Sequence, residues 1–192
     1  MRVVAGKHKG KYIFGPTGVE IRPTSDRVRE AMFNILAHGN WGQSAPSGIR
    51  GSRVLDGFCG TGALGLEALS RGSHFTTFID NNVTSLDLCR RNVTNLGETK
   101  ASAILRCDCL NPVKAEDPCD LIFLDPPYKK NIIPDALIAL SYAGWIAEGA
   151  VCVIETNTKQ STQPPNNFVF RNQRSYGGTL ITFLTYQPNQ TS

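Results

Sequence analysis

The tetrapeptide Asp125-Pro126-Pro127-Tyr128 carries the most specific chemical signal in this sequence. A side-chain oxygen of Asp125 can accept the hydrogens of an amine conjugated to a flat base, which favours a more tetrahedral and more nucleophilic nitrogen. The two prolines fix φ and remove N–H donors, so a stiff loop presents backbone carbonyls. The ring of Tyr128 can stack on a base. The loop therefore predicts group transfer to an exocyclic amine, with Asp125, Pro126, Pro127 and Tyr128 as the candidate catalytic residues.

A glycine-rich turn stands earlier in the chain, as Asp56-Gly57-Phe58-Cys59-Gly60-Thr61-Gly62. Its glycines allow a sharp turn and a close approach to a ligand. Residues 60–65 also match GxGxxG, so a nicotinamide-dependent oxidoreductase is an alternative from another class. A carboxylate at position 56 would repel the pyrophosphate of a dinucleotide, whereas it would attract an ammonium group. The turn therefore favours a zwitterionic ligand such as S-adenosylmethionine.

Two further acids follow predicted strands. Asp80 comes about 20 residues after the turn, at the position where ribose hydroxyls are held for either ligand. Asp108 can accept a hydrogen bond from an adenine amino group. Each acid alone is more often a solvated turn residue, because turns are rich in Asp. Together with Asp56 they predict a nucleoside ligand.

Alternating apolar segments and amphipathic helices are expected to position these residues. The predicted strands are 53–56, 75–80, 103–107, 121–125 and 150–155, and the predicted helices between them are 62–71, 82–97 and 132–144. Two last segments, 168–170 and 179–186, follow with no helix between them and predict an antiparallel hairpin. Repeated strand–helix units predict an α/β fold whose mostly parallel sheet has helices on both faces. Ligands bind such sheets beyond the carboxyl ends of the strands.

The amino-terminal part of the chain is basic. Residues 1–53 hold nine Lys and Arg against three acids, whereas residues 54–192 hold eleven against thirteen. This asymmetry predicts a docking surface for a polyanion. Residues 2–14 suggest a basic hairpin or loop, and an apolar stripe predicts a helix that begins after a Thr24 or Ser25 cap and ends near Gly39. The stripe consists of Val28, Ala31, Met32, Ile35 and Leu36. We expect a linker over 39–52, and two parts of the chain: a basic extension, 1–45, and a catalytic domain, 46–192.

Composition restricts the class of protein further. An apolar fraction of 41% and a charged fraction of 19% are those of an ordinary soluble globular protein. No apolar run reaches the roughly 18 residues of a membrane span, and residues 1–7 do not resemble a signal peptide, so we expect a cytoplasmic protein. The six cysteines form no CxxC pair, which predicts free structural thiols and no metal.

The combined motifs resemble Class I S-adenosylmethionine-dependent methyltransferases, and among these the bacterial RsmD family, over residues 2 to about 185. The resemblance rests on Gly6-x-x-x-Gly10, on the run from Arg22-Pro23-Thr24 to Asn34, on the run from Leu55-Asp56 to Gly72, and on the DPPY loop. It implies a Rossmann-like, seven-stranded sheet. It also implies that the chain methylates the N2 amine of a guanine in 16S ribosomal RNA, in a partly or fully assembled small subunit, as a monomer.

The resemblance assigns roles to individual residues. The cofactor S-adenosylmethionine, which would leave as S-adenosylhomocysteine, would be bound by Asp56, Phe58, Gly60, Thr61, Gly62, Asp80, Asn81, Asp108, Cys109 and Asp125. The loop from Asp125 to Tyr128 would receive the guanine. RNA would be contacted by Lys7, Lys9, Lys11, Arg22, Thr24 and Arg27. RNA targets present unstacked bases, so we expect the guanine to be flipped into the site.

Three alternatives stay open on the sequence. The same loop serves adenine N6 amines in DNA or RNA, although about 50 residues beyond the catalytic domain is little for reading duplex base edges. A nicotinamide-dependent oxidoreductase remains the alternative from another class. A non-catalytic RNA-binding module is a third, against which the intact Asp56 and Asp125 argue.

Overall fold

The computed structural model describes residues 1–16, 26–41, 48–127, 132–158 and 163–188. Within these ranges seven strands alternate with helices for most of the chain. In chain order the elements are α1 (Asp26–His38), β1 (Arg53–Gly57), α2 (Ala63–Ser70), β2 (Phe75–Asp80), α3 (Val83–Leu96), β3 (Ser102–Arg106), β4 (Cys119–Leu124), α4 (Ile133–Tyr142), β5 (Ile146–Asn157), β6 (Phe168–Tyr176) and β7 (Thr179–Tyr186), with a short 3-10 turn at Thr99–Ala101 before β3.

The seven strands form one sheet in the order β3-β2-β1-β4-β5-β7-β6. The neighbouring pairs among β1 to β5 are parallel, while β7 lies antiparallel to both β5 and β6. The predicted α/β fold, with its mostly parallel sheet and carboxyl-terminal antiparallel hairpin, is therefore confirmed. The order reverses next to β1, so ligands are expected at the carboxyl ends of β1 and β4.

The strand boundaries differ from the prediction at β6, which continues to Tyr176, six residues beyond its predicted end, and at β5. This strand begins at Ile146, four residues earlier than predicted, and passes through Gly149 at φ +78°. Its pairing with β4 shifts register between Cys119 and Leu121. A glycine in the left-handed region normally marks a bulge or turn, which is why the sequence pattern placed the beginning of the strand after it.

Apolar cores cover both faces of the sheet. One core packs α4 against β1, β4 and β5, and the other face carries α1, α2 and α3. The aromatic ring of Phe33 lies 5.4 Å from that of Phe123, and Trp41 stacks on Phe183 at 5.3 Å. Trp41 lies within the predicted linker, so the beginning of that segment belongs to the core. No helix in the described part of the chain is long and apolar enough to cross a membrane.

The buried face of α1 differs from the predicted stripe. Val28, Met32 and Leu36 are buried as expected, but Ala31 and Ile35 are half-exposed. Phe33 and Arg29 are buried instead. The pattern of apolar residues in α1 could not predict that Arg29 is buried, because a cation is buried only where other parts of the fold supply partners for its charge.

Residues 1–14 form the predicted hairpin, which docks on α2. Arg2 and Tyr12 form a β-bridge, and the N–H of Val3 donates to the carbonyl of Lys11 at 3.0 Å. The buried carboxylate of Glu67 accepts the N–H groups of Val4 and Ala5 at 2.8 and 3.0 Å. The same carboxylate contacts the buried guanidinium of Arg29 and accepts from Arg71. Glu67 therefore joins the hairpin, α1 and α2.

Gly6→Ala should detach this hairpin. Gly6 has φ +81°, and a Cβ there would lie 1.9 Å from the backbone oxygen of Ser70. We expect the substitution to lower the free energy of unfolding by more than about 1 kcal/mol, because it adds a backbone clash to the left-handed strain. Gly10→Ala is the matched control, since its φ of +83° is similar and a Cβ there would meet nothing within 4 Å. Equal melting temperatures for the two variants would contradict the docking.

Candidate active site

Acidic side chains lie at the carboxyl ends of four adjacent strands. Asp80 is the last residue of β2 and Asp56 the last but one of β1, while Asp108 and Asp125 come just after β3 and β4. The register pairs Asp56 with Phe78 and with Phe123, so these strand ends meet at one edge of the sheet. The strand order reverses at this edge, and in open α/β sheets ligands bind at such a point.

Asp56 is a buried carboxyl beside the first turn of α2. Its Oδ2 accepts the N–H of Gly65 at 2.8 Å, and the residue is 2% exposed. Burial raises the pKa of Asp56 to about 8, and nearby Asp80 adds to this, while the hydrogen bond from Gly65 opposes it. A buried carboxyl of this kind favours a cationic neighbour, because a positive charge would stabilise its ionised form.

Asp80 braces the glycine-rich turn. Its Oδ2 accepts the N–H of Gly60 at 3.0 Å, and its Oδ1 accepts the N–H of Asn82 at 2.9 Å. The N–H of Cys59 donates to the carbonyl of Ile79 at 3.0 Å, which ties the turn to the end of β2. Carboxylate oxygens have further lone pairs, so Asp80 can still accept hydroxyl hydrogens from a ligand.

Phe58 and Gly60 adopt the left-handed conformation in this turn, at φ +58° and +53°. For Phe58 this conformation costs roughly 1–2 kcal/mol, and non-glycine residues held this way cluster at functional sites. A Cβ on Gly60 would meet no atom closer than 4.0 Å, so the turn leaves open space there. The turn is thus held in a strained shape beside a free volume.

Cys109 and Asp108 lie next to the turn. Burial raises the pKa of Cys109 to about 12, and a hydrogen bond from the backbone of Phe58 opposes that shift. Cys109 is therefore a neutral packing residue at pH 7. The Oδ1 of Asp108 accepts the N–H of Leu110 at 2.9 Å. The side chain of Asn81 is exposed beside Asp80. The six cysteines are all free and buried.

Asp125 begins the proline loop, with Pro126 buried and Pro127 exposed after it. Burial raises the pKa of Asp125 well above its usual range, and the nearby carboxyls of Glu155 and Asp56 raise it further. Tyr128, like Arg22 and Thr24, falls outside the described residues, so its predicted stacking role stays a prediction.

Glu155 is the acidic neighbour that the sequence analysis missed. β4 and β5 pair Leu124 with Ile154, so Glu155 comes beside Asp125. It is 3% exposed and lies on the sheet face that carries α1, because Val153 two residues earlier packs there. Applying the rule of polar strand ends to the fifth strand would have identified it.

Glu155→Gln should shift the pH dependence of turnover. The substitution removes a negative charge beside Asp125, so the raised pKa of Asp125 should fall. If ionised Asp125 is the active form, turnover is lost as the pH drops through that pKa, and the variant should retain turnover to lower pH. Glu148→Gln, an exposed position on the same strand, is the control. An acid limb that stays in place or moves upward would contradict the coupling.

Asn92, also missed, joins the turn to the amino-terminal segment. Its Oδ1 accepts the N–H of Phe14 at 2.8 Å, and its Nδ2 donates to the carbonyls of Phe14 and Thr61 at 3.0 and 2.9 Å. The side chain is buried within α3. It therefore ties Phe14 to the turn that precedes α2.

The predicted RNA-binding residues differ in their surroundings. The Nζ of Lys7 lies 2.7 Å from Glu98 Oε1, and buried His8 contacts the same carboxylate. Lys9 and Lys11 are exposed on the hairpin, and Arg27 is exposed on α1. Lys7 thus helps to hold the hairpin, whereas Lys9 and Lys11 are available to a ligand.

The sheet order, the antiparallel β7 and the acidic strand ends define a Rossmann-like methyltransferase. Residues 1–185 match the model of the family described as conserved hypothetical protein 95, and the chain belongs to that family. The resemblance to the RsmD family is confirmed by curated relatives. One is "Ribosomal RNA small subunit methyltransferase D" of Haemophilus influenzae, 29% identical over 97% of this chain and 93% of that protein. Its Escherichia coli K12 namesake is 30% identical over 97% and 89%.

Other relatives agree with this assignment. The "Putative rRNA methyltransferase YlbH" of Bacillus subtilis is 31% identical over 94% of this chain and 96% of its own length. Among solved structures, the "Putative methyltransferase yhhF" of Escherichia coli superposes with a TM-score of 0.82 at 26% identity, over 98% of this chain and 99% of that one.

Proposed function

We propose that this chain transfers a methyl group from S-adenosylmethionine to the exocyclic N2 amine of a guanine in 16S ribosomal RNA. The observation that carries the proposal is the position of Asp125-Pro126-Pro127 at the sheet edge where Asp56 and Asp80 also lie. The curated relatives named as ribosomal RNA small subunit methyltransferases support the RNA substrate.

The residues at the strand ends fit S-adenosylmethionine better than a dinucleotide. Asp56, Asp80 and Asp108 supply carboxyl oxygens, which suit an ammonium group, ribose hydroxyls and an amino group, whereas none of these three side chains offers a cation to a pyrophosphate. When bound, the cofactor supplies an electrophilic methyl group on a sulfonium. Phe58, Gly60, Thr61, Gly62, Asn81 and Cys109 complete the proposed binding region.

The proline loop is proposed to orient the amine. A carboxylate oxygen of Asp125 would accept one amine hydrogen, and the backbone carbonyl of Pro126 would accept another, which directs the nitrogen lone pair toward the methyl group. Because both prolines lack N–H groups, the loop offers acceptors to the amine. Holding the two reactants in this geometry supplies much of the rate enhancement. The proton that the nitrogen loses after transfer would pass to Asp125 or to water.

The decisive test is a deletion strain, from which small-subunit ribosomal RNA is digested and its N2-methylguanosine measured. We expect one guanine to lose its methyl group and to regain it when the gene is restored. If N2-methylguanosine is unchanged at every guanine, the guanine assignment is wrong. Loss of N6-methyladenosine instead would move the assignment to an adenine N6 methyltransferase.

A second experiment addresses the substrate's state of assembly. Labelled S-adenosylmethionine is supplied with free 16S ribosomal RNA, with partly assembled small subunits and with complete ones. We propose that assembled particles are the better substrate. The enzyme itself is proposed to be a cytoplasmic monomer of two parts, 1–45 and 46–192. Faster labelling of the free RNA would contradict the assembled substrate.

A further inference from the structure

The amino-terminal hairpin and α3 together present aromatic rings and cations on one surface. Tyr12 and Phe14 are two residues apart in an extended segment, with buried Ile13 between them pointing into the core. Their rings meet edge to face at 5.4 Å between centroids. The guanidinium carbon of Arg91, on α3, lies 3.9 Å from the centroid of the Phe14 ring. We call Tyr12, Phe14 and Arg91 the aromatic platform.

The platform is open to solvent on its outer side. Tyr12 is 50% exposed although it is a large aromatic residue. Arg91 is also exposed, although its guanidinium carbon lies over the Phe14 ring, so the pair is accessible to a flat group from solvent. Aromatic rings and guanidinium planes are the surfaces on which proteins stack unpaired bases.

The charge around the platform suits a polyanion. The described residues 1–16 contain four Lys and Arg and no acid, and α3 adds Arg90 and Arg91. Two acids lie nearby: Asp87 pairs with Arg90, and Glu98 pairs with Lys7 and His8. Lys9, Lys11 and Arg91 are left exposed on the hairpin and α3.

Hydrogen bonds fix the backbone of the platform to α3 and, through Asn92, to the glycine-rich turn of the candidate active site. Asn95 donates to the carbonyl of Tyr12 at 3.1 Å, and Asn92 holds both backbone groups of Phe14 while also donating to Thr61. Asn92 lies ten residues along α3 from its Asn82 cap, which is about 15 Å at 1.5 Å per residue. Through Asn92 the platform is therefore connected to the same glycine-rich turn that Asp80 holds at Gly60.

We propose that this surface binds single-stranded RNA beside the methylated base, with one base stacked on Tyr12, another on Arg91, and phosphates on Lys9 and Lys11. The inference rests on the proposed RNA substrate. It adds Tyr12, Phe14 and Arg91 to the lysines that the sequence suggested, and it gives Lys7 a structural role. Contacts between this surface and the nucleotides beside the target would help to select the base that is methylated.

The test uses the full-length protein with Tyr12→Ala, Arg91→Ala and Arg91→Lys. Affinity is measured for 16S ribosomal RNA and for a labelled 12-nucleotide single-stranded RNA across a salt series. Loss of one stacked base should weaken RNA binding about tenfold. Arg91→Ala should also flatten the slope of log affinity against log salt by about 0.7. Arg91→Lys should restore the slope but not the stacking.

Tyr142→Ala is the matched aromatic control, because Tyr142 is 88% exposed on α4, away from the hairpin. The S-adenosylmethionine affinity and melting temperature of all variants should match the wild type, which separates RNA contact from a fold defect. Equal RNA affinity for Tyr12→Ala and wild type overturns the platform. If a variant loses affinity for assembled subunits but not for either RNA, the surface binds a protein of the subunit. That result also overturns the proposal that the platform binds RNA.

These outcomes stay separate from the proposed function. A wild-type protein that methylates no RNA would refute the proposed function itself. A wild type that methylates RNA, alongside platform variants with unchanged KM and unchanged RNA affinity, would refute the platform alone.

Discussion

Replacing Asp125 with Ala is expected to reduce kcat by at least about 100-fold while leaving the affinity for S-adenosylmethionine within about threefold. The scale follows from removing one preorganised group that acts on the reacting atoms. Asp125 lies just after β4, where Pro126 is buried, so the backbone of the loop should survive the loss of the side chain. Single-turnover methylation of 16S ribosomal RNA and calorimetric titration of the cofactor measure the two quantities.

Asp125→Asn distinguishes the two roles open to this side chain. The amide keeps an oxygen that can accept the amine hydrogen, but it cannot take a proton. Substantial turnover in Asp125→Asn, without the acid limb of the pH profile, is expected if accepting a hydrogen bond is the main role. Asp117→Ala, an exposed acid before β4, serves as the control. Undiminished turnover in Asp125→Ala would show that the loop is not catalytic.

The affinity for S-adenosylmethionine should rise with pH because of Asp56. Burial raises the pKa of Asp56 to about 8 in the free protein, so most molecules carry a neutral carboxyl at pH 6. An ammonium group binds the ionised form, so binding must release a proton below that pKa. We expect affinity to increase by up to about tenfold per pH unit between pH 5.5 and 7, with proton release visible in calorimetry across buffers of different ionisation enthalpy.

Asp56→Asn should remove both the pH dependence and most of the affinity. The variant's melting temperature is expected to stay within a few degrees of the wild type, since an amide oxygen can still accept the Gly65 N–H. Asp120→Asn is a matched control: Asp120 also accepts a backbone N–H, from Arg53 at 2.8 Å, but near the start of β4. A wild-type affinity independent of pH would show that Asp56 does not face the ammonium group.

The functional residues at the ends of strands could be predicted from the sequence. The alternation of strands and helices fixes which side chains reach the carboxyl edge, and a short motif such as Asp125-Pro126-Pro127 is local in the chain. The parallel pairing among β1 to β5 followed from the same alternation, whereas their order in the sheet was not predicted. Glu155 was within reach of this logic, because it too occupies the end of a core strand.

Residues whose hydrogen-bond partners are distant backbone groups could not be predicted from the sequence. Asn92 and Glu67 are polar residues on helices, and their sequence surroundings resemble those of solvated positions. Their partners, Phe14 and the pair Val4 and Ala5, stand 78 and about 63 positions away. A polar side chain is buried only when such partners complete its hydrogen bonds, and the pattern of one helix holds no information about them. Trp41, in the predicted linker, entered the core for a related reason: its partner Phe183 belongs to β7.

The anchoring of the hairpin has a consequence for biosynthesis. The hairpin has earlier partners in Glu67 and Ser70 on α2, but His8 also contacts Glu98, 90 positions later, and Phe14 contacts Asn92, so these last contacts form only after α3 has been translated. Pairings of this separation form late, because a long loop must close first. Until then the hairpin has only its α2 contacts on the nascent chain. Completion of α3, not of the hairpin itself, therefore sets the moment at which Phe14 can pair with Arg91 and the aromatic platform can form.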